Sequence, residues 1–414
     1  MFVPEYVEFT LQRLEQNGFC AYLVGGCVRD YLMHKTPYDY DITTNATPGQ
    51  ILGCFSDVRT LDQGLKHGTV ALVFDKNIVE VTTFRVDGEY KDNRRPENVE
   101  FTDKIELDLA RRDFTVNAIA YSKTKGFADP YCGQNDIKNK RIVCVGIADE
   151  RFCEDALRIM RALRFSSVLC FNIEENTKKA IYDKSHLLLN ISMERINTEF
   201  CKMLSGKNVK KVFCEYFDVL CTFIPEIAFF GCQEIKTISS ALEKARDNLT
   251  VSLCVLFCFL SLKEASEQDI KRLLMRLKFS KIQCNDVVSV LTHISCDVGV
   301  SLVDVKKIIS SLGYDISFVF YKTLMCLDLI TKEQYDNALE IVGNCRKENV
   351  VVKVSQLAIN GNDLINNTQI EKKNFSGVLE TLLCEVIEEK IENTFDSLIN
   401  RAKLLDNQQF YGGK

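Results

Sequence analysis

The sequence predicts an α+β chain: an N-terminal head built on a mixed sheet, followed by a long, wholly helical remainder. Three observations carry this. In the first part, short apolar runs of strand length alternate with helical segments: Ala21 to Val24, Asp39 to Thr43, Thr69 to Phe74, Ile78 to Phe84 and Ile142 to Val145. From about Asp149 onward the hydrophobic spacing is almost entirely helical, with few glycines and hardly any prolines. With 414 residues, 46% hydrophobic and 26% charged, the chain has the composition of an ordinary globular protein and the length for more than one domain.

In chain order, the apolar run Ala21 to Val24 feeds directly into Gly25-Gly26, and Val28 to Met33 has helical composition. Glycines between a strand and a helix let the backbone pass close to a ligand, and the opening helix offers unpaired N–H groups to an anion such as a triphosphate. Next comes Asp39-Tyr40-Asp41, within a segment that reads as a strand from Tyr38 to Thr43. Alternation along a strand projects both carboxylates from one face. Two carboxylates that close repel, and an oxygen-only, doubly anionic pocket suits Mg²⁺, which completes its shell with water and substrate phosphates. The combination points to phosphoryl chemistry. Glu80, alternating with Val79 and Val81, offers a third carboxylate, although a solvated strand edge explains the same alternation.

Gly25-Gly26-Cys27-Val28-Arg29-Asp30, followed by Asp39-Tyr40-Asp41 and Thr43-Thr44, resembles the signature of the class II, bacterial-type tRNA nucleotidyltransferases and the related bacterial poly(A) polymerases. Three further motifs follow in the family's order: Arg111 to Ala118, Asp129-Pro130-Tyr131, and Glu154 to Arg158 continuing through Arg161 to Phe165. The resemblance implies a polymerase-β-like nucleotidyltransferase head over residues 1–140 and a neck of base-reading helices over 141–205. An elongated helical body (206–330) and tail (331–414), both RNA-binding, would follow. Weak breaks at Ser205-Gly206-Lys207-Asn208 and near Ile330-Thr331 accord with these limits, and Leu357 to Leu364 looks like a tail element of the bacterial enzymes. The activity implied is template-independent addition of CCA to the 3′ end of tRNA from CTP and ATP, with release of pyrophosphate. An A-adding enzyme, a bacterial poly(A) polymerase and a non-catalytic RNA-binding descendant are the alternatives. Intact Asp39 and Asp41 speak against the last.

Carried over residue by residue, the resemblance makes Asp39 and Asp41 catalytic and, with Glu80, ligands of Mg²⁺. It assigns Gly25, Gly26, Arg29, Arg111, Arg112, Asp113, Asn117, Asp155, Arg158 and Arg161 to the nucleotide. For Arg111-Arg112-Asp113, guanidinium forks fit phosphate oxygens and a carboxylate fits a 2′-hydroxyl; a structural ion pair is the bland alternative.

Between Glu154 and Phe165, at about 100° per residue, Ala156, Ile159, Met160 and Leu163 fall on one side of a helix and Glu154, Asp155, Arg158 and Arg161 on the other. A surface Asp–Arg pair accounts for this. So does a base reader: cytosine and adenine both place an exocyclic amine beside a ring nitrogen acceptor, which a carboxylate and a guanidinium match, whereas uracil and guanine reverse the order. Arg85 to Asn98 is polar and turn-rich, and the resemblance makes it the loop needed for adding the terminal A. Two positions depart from the family's usual glycine, His34 and Cys132. Both read as turns, where a left-handed residue is tolerated at modest cost.

A net charge of −5 is unusual for a partner of RNA, but the positive charge is clustered. One dense stretch runs from Lys138 to Arg164. Another contains Lys271, Arg272, Arg276, Lys278 and Lys281, a candidate contact with tRNA phosphates or equally a solvated helix face. The tRNA would be gripped by shape through its acceptor stem and the adjoining arm. The eighteen cysteines are scattered, none spaced Cys-x-x-Cys, which points to a reduced, cytoplasmic chain. Met1 to Leu14 lacks the basic, apolar character of a signal peptide. Val251 to Leu262 is too short to span a bilayer and reads as a buried helix. No membrane partner is expected, and nothing in the sequence speaks to oligomeric state.

Overall fold

The computed structural model describes residues 1, 3–61, 64–88, 90–91, 95–96, 99–262, 265–294 and 299–411. These form two compact units, Met1–Gly231 and Cys232–Lys414. The first holds a seven-stranded mixed sheet in the order Gly126–Ala128, Ala120–Ser122, Ala21–Val24, Asp41–Thr44, Asn77–Thr83, Thr69–Phe74, Arg59–Leu61. Only the central pair, Asp41–Thr44 with Asn77–Thr83, is parallel. Ala21–Val24 is buried along its whole length, which is why it reads as a continuous apolar run rather than an alternating one.

The strand expected from Tyr38 to Thr43 starts later, at Asp41, and ends at Thr44. Pro37 has no N–H to give a ladder, and Tyr38, 94% exposed, has no face to bury. Asp39 therefore reaches the site from a bend preceding the strand and not by strand alternation. Thr69–Phe74 has the expected bounds, and Asn77–Thr83 is shifted by one residue. The run Ile142 to Val145 contracts to Arg141–Ile142, which pairs in parallel with Asn172–Ile173 outside the main sheet. Arg59–Leu61, Ala120–Ser122 and Gly126–Ala128 are three residues each, too short to show a period.

Beyond Ala148 the first unit is helical apart from the two-residue strand Asn172–Ile173. Ala148–Glu154 and Leu157–Leu169 are separate helices, broken at Asp155, whose φ of −139° and ψ of 101° are extended. The single helix expected across Glu154 to Phe165 is corrected accordingly. Leu157–Leu169 packs against Met193–Leu204. His34 and Cys132 both adopt left-handed backbone, φ 57° and 58°, the geometry expected of the two positions that lack the family's glycine.

In the second unit, the apolar run around Val251 is the buried helix Leu249–Leu262. Ser266, Ser280, Ser301 and Thr331 each open a helix with a capping box, which explains their S/T-x-x-D/Q spacing. Gly313, at φ 77°, breaks the helical path of Leu302–Cys326. Leu357, Ile359 and Leu364 enter a core with Leu382 and Leu398. Arg272 and Arg276 are exposed on Glu267–Arg276, Arg272 pairing with Asp269 at 3.2 Å. Among the described residues, no helix is long and apolar enough to cross a membrane.

One glycine locks the head together. A Cβ on Gly133 would stand 2.1 Å from the Thr115 carbonyl oxygen. Gly133→Ala should therefore destabilise the protein by about 1–3 kcal/mol, as overpacking does. The check is a urea midpoint shift at unchanged slope.

Candidate active site

The sheet register sets the site. Asp41 and Glu80 are direct partners on the two parallel strands, so their side chains leave the same face side by side. Alternation holds around Glu80, which is exposed between buried Val79 and Val81. Asp41 keeps solvent access at the start of its strand. Its carboxyl is nevertheless held above the ordinary carboxylate value, first because surrounding protein displaces its water, then by the charge of Glu80. Asp39 adds to the rise and Arg112 opposes it. Asp41 thus stands among like charges, with Arg112 moderating them.

This is the character of a hard-cation site. Among the described residues no three His, Cys, Asp or Glu side chains converge tightly enough to form an all-protein metal cage. A cation that takes one or two carboxylates and completes its shell from phosphates and water needs no such cage. Cys27, beneath the site, is not a ligand candidate: burial pushes its thiol up to about 11, so it stays protonated.

Next to the carboxylates, the glycine turn carries the cations. Gly25 has φ 76°, backbone that L side chains rarely adopt, and a Cβ there would crowd Arg112 Nη1 at 3.3 Å. Arg29 is pinned by Nη1 to Asn117 Oδ1 at 2.7 Å and by Nε and Nη2 to Asp30 at 2.9 and 2.8 Å. Arg111 and Arg112 follow the helix Ile105–Ala110 and reach back to one carboxylate, Asp108, at 2.8 and 3.2 Å. Asp108 is completely buried. Burial alone would raise its carboxyl, but the charges and hydrogen bonds of the two arginines hold it below the usual range. Arg112 Nε is buried with no partner in the protein, a donor left for an incoming acceptor.

Asp113 closes the site toward the helices. It accepts from Phe114 N at 2.8 Å, Asn117 Nδ2 at 3.3 Å and Arg161 Nε at 2.7 Å. Burial opposes its ionisation, yet Arg161 and these donors keep the carboxyl depressed. Arg161 also lies 3.8 Å from buried Glu199, which pairs with Arg164 at 2.8 Å. Phe165 sits beneath three guanidiniums, those of Arg164, Arg161 and Arg29, at 3.9, 5.4 and 5.5 Å from its ring centre.

The Arg158 N–H donates to the Asp155 carbonyl at 3.0 Å, but the two side chains take different partners. Arg158, buried, donates Nη1 to Glu154 at 2.5 Å and to the Arg151 carbonyl at 3.0 Å, and Nη2 to the Arg111 carbonyl at 3.1 Å. Asp155 instead accepts from Leu157 N and from Arg195. The surface Asp–Arg pair that the sequence allowed is absent, because the helix break turns the two side chains to different partners. Of the expected A-adding loop, Arg85 to Asn98, residues 89, 92–94 and 97–98 lie outside the described residues; Arg85–Asp87 pairs with Val99–Phe101 and Tyr90–Lys91 with Arg95–Pro96. Lys271, Arg272 and Arg276 belong to the second unit.

Sequence reasoning missed Asp108, Arg195 and Glu199. Asp108 stands three and four residues before Arg111 and Arg112, so helical spacing was the available signal. Arg195 and Glu199 act from a distant helix and leave no local trace.

The charges fix a pH behaviour. Asp108 and Asp113 titrate below an unfolded value of about 3.9, so the stability they add is present above roughly pH 4 and lost as pH falls through their folded values. Asp41 is opposite: with its carboxyl raised, ionisation costs the fold stability at neutral pH, and acid relieves that cost. Asp41→Asn should raise the urea midpoint at pH 7, with the gain shrinking toward pH 4. Asp108→Asn should cost about 3–5 kcal/mol, because it strands two arginines beside a neutral group.

Residues 21–143 match the model of the poly A polymerase head domain, and residues 170–228 match a probable RNA- and SrmB-binding site of polymerase A. The CCA-adding enzyme of Lactobacillus delbrueckii subsp. bulgaricus is 44% identical over 206 residues, 50% of this chain and 52% of that one. That of Geobacillus kaustophilus is 46% identical over 219 residues, 53% and 54% of the two chains. The chain thus spans about half the length of the curated relatives it matches. Among solved structures, the Bacillus stearothermophilus CCA-adding enzyme in complex with CTP superposes with a TM-score of 0.83 at 26% identity, covering 99% of this chain and 100% of the other. The Thermotoga maritima CCA-adding enzyme complexed with tRNA shares the fold, with a TM-score of 0.66 at 19% identity over 97% and 95%. The two domain models and these relatives agree in kind: residues 21–143 and 170–228 are similar to the head and RNA-binding domains of poly A polymerase, and about half of the chain is similar to CCA-adding enzymes.

Proposed function

We propose that this chain is a CCA-adding tRNA nucleotidyltransferase, transferring CMP, CMP and then AMP from CTP and ATP to the 3′ end of tRNA. The observation that carries the reading is the pairing of Asp41 with Glu80, with Asp39 beside them, next to a glycine turn flanked by Arg29 and Arg112. Asp39 and Asp41 would hold a divalent cation, for which Mg²⁺ fits the all-oxygen donor set, with Glu80 at its edge. When bound, such an ion supplies neutralisation of the triphosphate and a lowered barrier to deprotonating the RNA 3′-hydroxyl.

The protein's own residues do the rest. Gly25 leaves room for phosphate oxygens, and Arg29 and Arg112, each tied to a carboxylate, meet them without having to be ordered first. Gly26, Arg111, Asp113 and Asn117 complete this phosphate and ribose side. Asp155 and Arg158 face the base, and Arg161, on the same helix as Arg158, ties that helix to Asp113. The tRNA would be held by its acceptor stem and adjoining arm, with Lys271, Arg272 and Arg276 as phosphate contacts. Free cysteines throughout the described residues accord with a reducing, cytoplasmic setting.

The test supplies tRNAs lacking CCA, CA or A with each nucleotide singly. CMP should enter the first two acceptor stages and AMP only the third. Addition of AMP alone would replace this reading with an A-adding enzyme, and long A tracts on unrelated RNA with a poly(A) polymerase. Asp39→Ala or Asp41→Ala should abolish both incorporations and leave tRNA affinity close to wild type. Turnover near wild type in either variant defeats the assignment.

A further inference from the structure

We propose that Arg195 is a positioning residue for base selection, holding the Asp155 carboxylate in the orientation that accepts the amino group of cytosine or adenine. The inference rests on the reading that Asp155 faces the base. Asp155 sits in the break between two helices, with no helical backbone to orient it. Both of its oxygens are nonetheless occupied. Oδ1 accepts the Leu157 N–H at 3.1 Å, and Oδ2 accepts from Arg195 Nη2 at 3.0 Å. A carboxylate has about four acceptor directions, so a clamp on one side of each oxygen fixes where the remaining two point.

The clamp comes from elsewhere in the chain. Arg195 stands on Met193–Leu204, forty residues from Asp155, on the helix packed against Leu157–Leu169. Its guanidinium is partly withdrawn from water, and Nη1 is buried with no partner. A cation so placed holds a carboxylate more firmly than an exposed one, and its unused donor suits an acceptor atom of a bound nucleotide. Arg158 has a parallel arrangement, fixed by Glu154 and two carbonyls. Asp155 and Arg158 therefore each have their own holder. Rotation of the carboxylate, once Arg195 is gone, removes the directional difference between an amino donor and the O4 acceptor of uracil.

The experiment measures kcat/KM for CTP and UTP on tRNA lacking CCA, with the folded state of each variant checked by its urea midpoint. Arg195→Met should lower the CTP-to-UTP ratio about tenfold, the size of one misplaced base contact. Arg195→Lys should recover much of it, because an ammonium still pairs with Asp155. Adding Arg195→Met to Asp155→Asn should shift the ratio no further than Asp155→Asn alone. If Arg195→Met does not fold, Arg195→Gln takes its place with the same expectation. A ratio shifted by Asp155→Asn and unmoved by the Arg195 variants overturns this proposal and leaves base reading by Asp155 intact. A ratio unmoved by Asp155→Asn overturns both.

Discussion

Asp41 and Glu80 cannot separate without unpairing the two central strands. Their register makes them neighbours, and adjacent strands lie about 5 Å apart. Like charges at that distance repel by roughly 1 kcal/mol in bulk water and by about 3 at an effective dielectric of 20. The sheet pays this standing cost in every molecule, and Asp39 adds to it from the bend. A protein under no demand for a cation at this face would gain stability from any neutral residue there. Much of the surrounding structure follows from keeping that repulsion in place: the mixed sheet that forces one parallel pairing, the glycine turn beside it, and one arginine near enough to moderate the charge without cancelling it.

The arginines have the complementary problem. On the proposed reading, guanidiniums that would meet phosphate must not collapse onto Asp39, Asp41 or Glu80. Each is instead tied to another carboxylate: Arg29 to Asp30, Arg111 and Arg112 together to Asp108, Arg161 to Asp113. Asp108 and Asp113 are buried, so these are not exposed pairs worth a few tenths of a kcal/mol. Their burial has a price in desolvation that the paired arginines offset, and the net benefit lies in fixed geometry. The site is then organised before substrate arrives, and little ordering remains to be done on binding.

The parts legible in the sequence were those encoded locally. Gly25-Gly26, the alternation around Glu80 and the buried helix around Val251 each declare themselves within a few residues. Asp39 and Asp41 were legible as a pair, but the reason they converge was misread: Asp39 sits in a bend created where Pro37 and exposed Tyr38 forbid strand. Between Glu154 and Phe165 the helical period is real on both sides of Asp155, and periodicity has no way to register one extended residue between two helices. The three-residue strands fall below the length at which any period can be seen. Asp108 was within reach through its spacing to Arg111 and Arg112. Arg195 and Glu199 were not, since their partners lie on another helix and only tertiary packing makes the pairing.

On the proposed reading, base selection would depend on that last class of residue. The contacts to Asp155 depend on how Met193–Leu204 lies against Leu157–Leu169, and the crossing is locked just beyond it. A Cβ on Gly206 would come within 2.1 Å of Ser167 Oγ, so the chain must carry glycine there to let the backbones approach. Ser167 uses that closeness: its hydroxyl donates to the Met203 carbonyl at 2.7 Å, and its own carbonyl accepts from Asn208 N at 2.9 Å. Ser167 is completely buried, so neither bond competes with water. The approach of the two helices at this end is thus set by a glycine and a serine, while Arg195 meets Asp155 near the other end of Met193–Leu204. Chemistry at the sheet is written in a few adjacent residues, whereas the orientation of Asp155 is written in the packing of two helices.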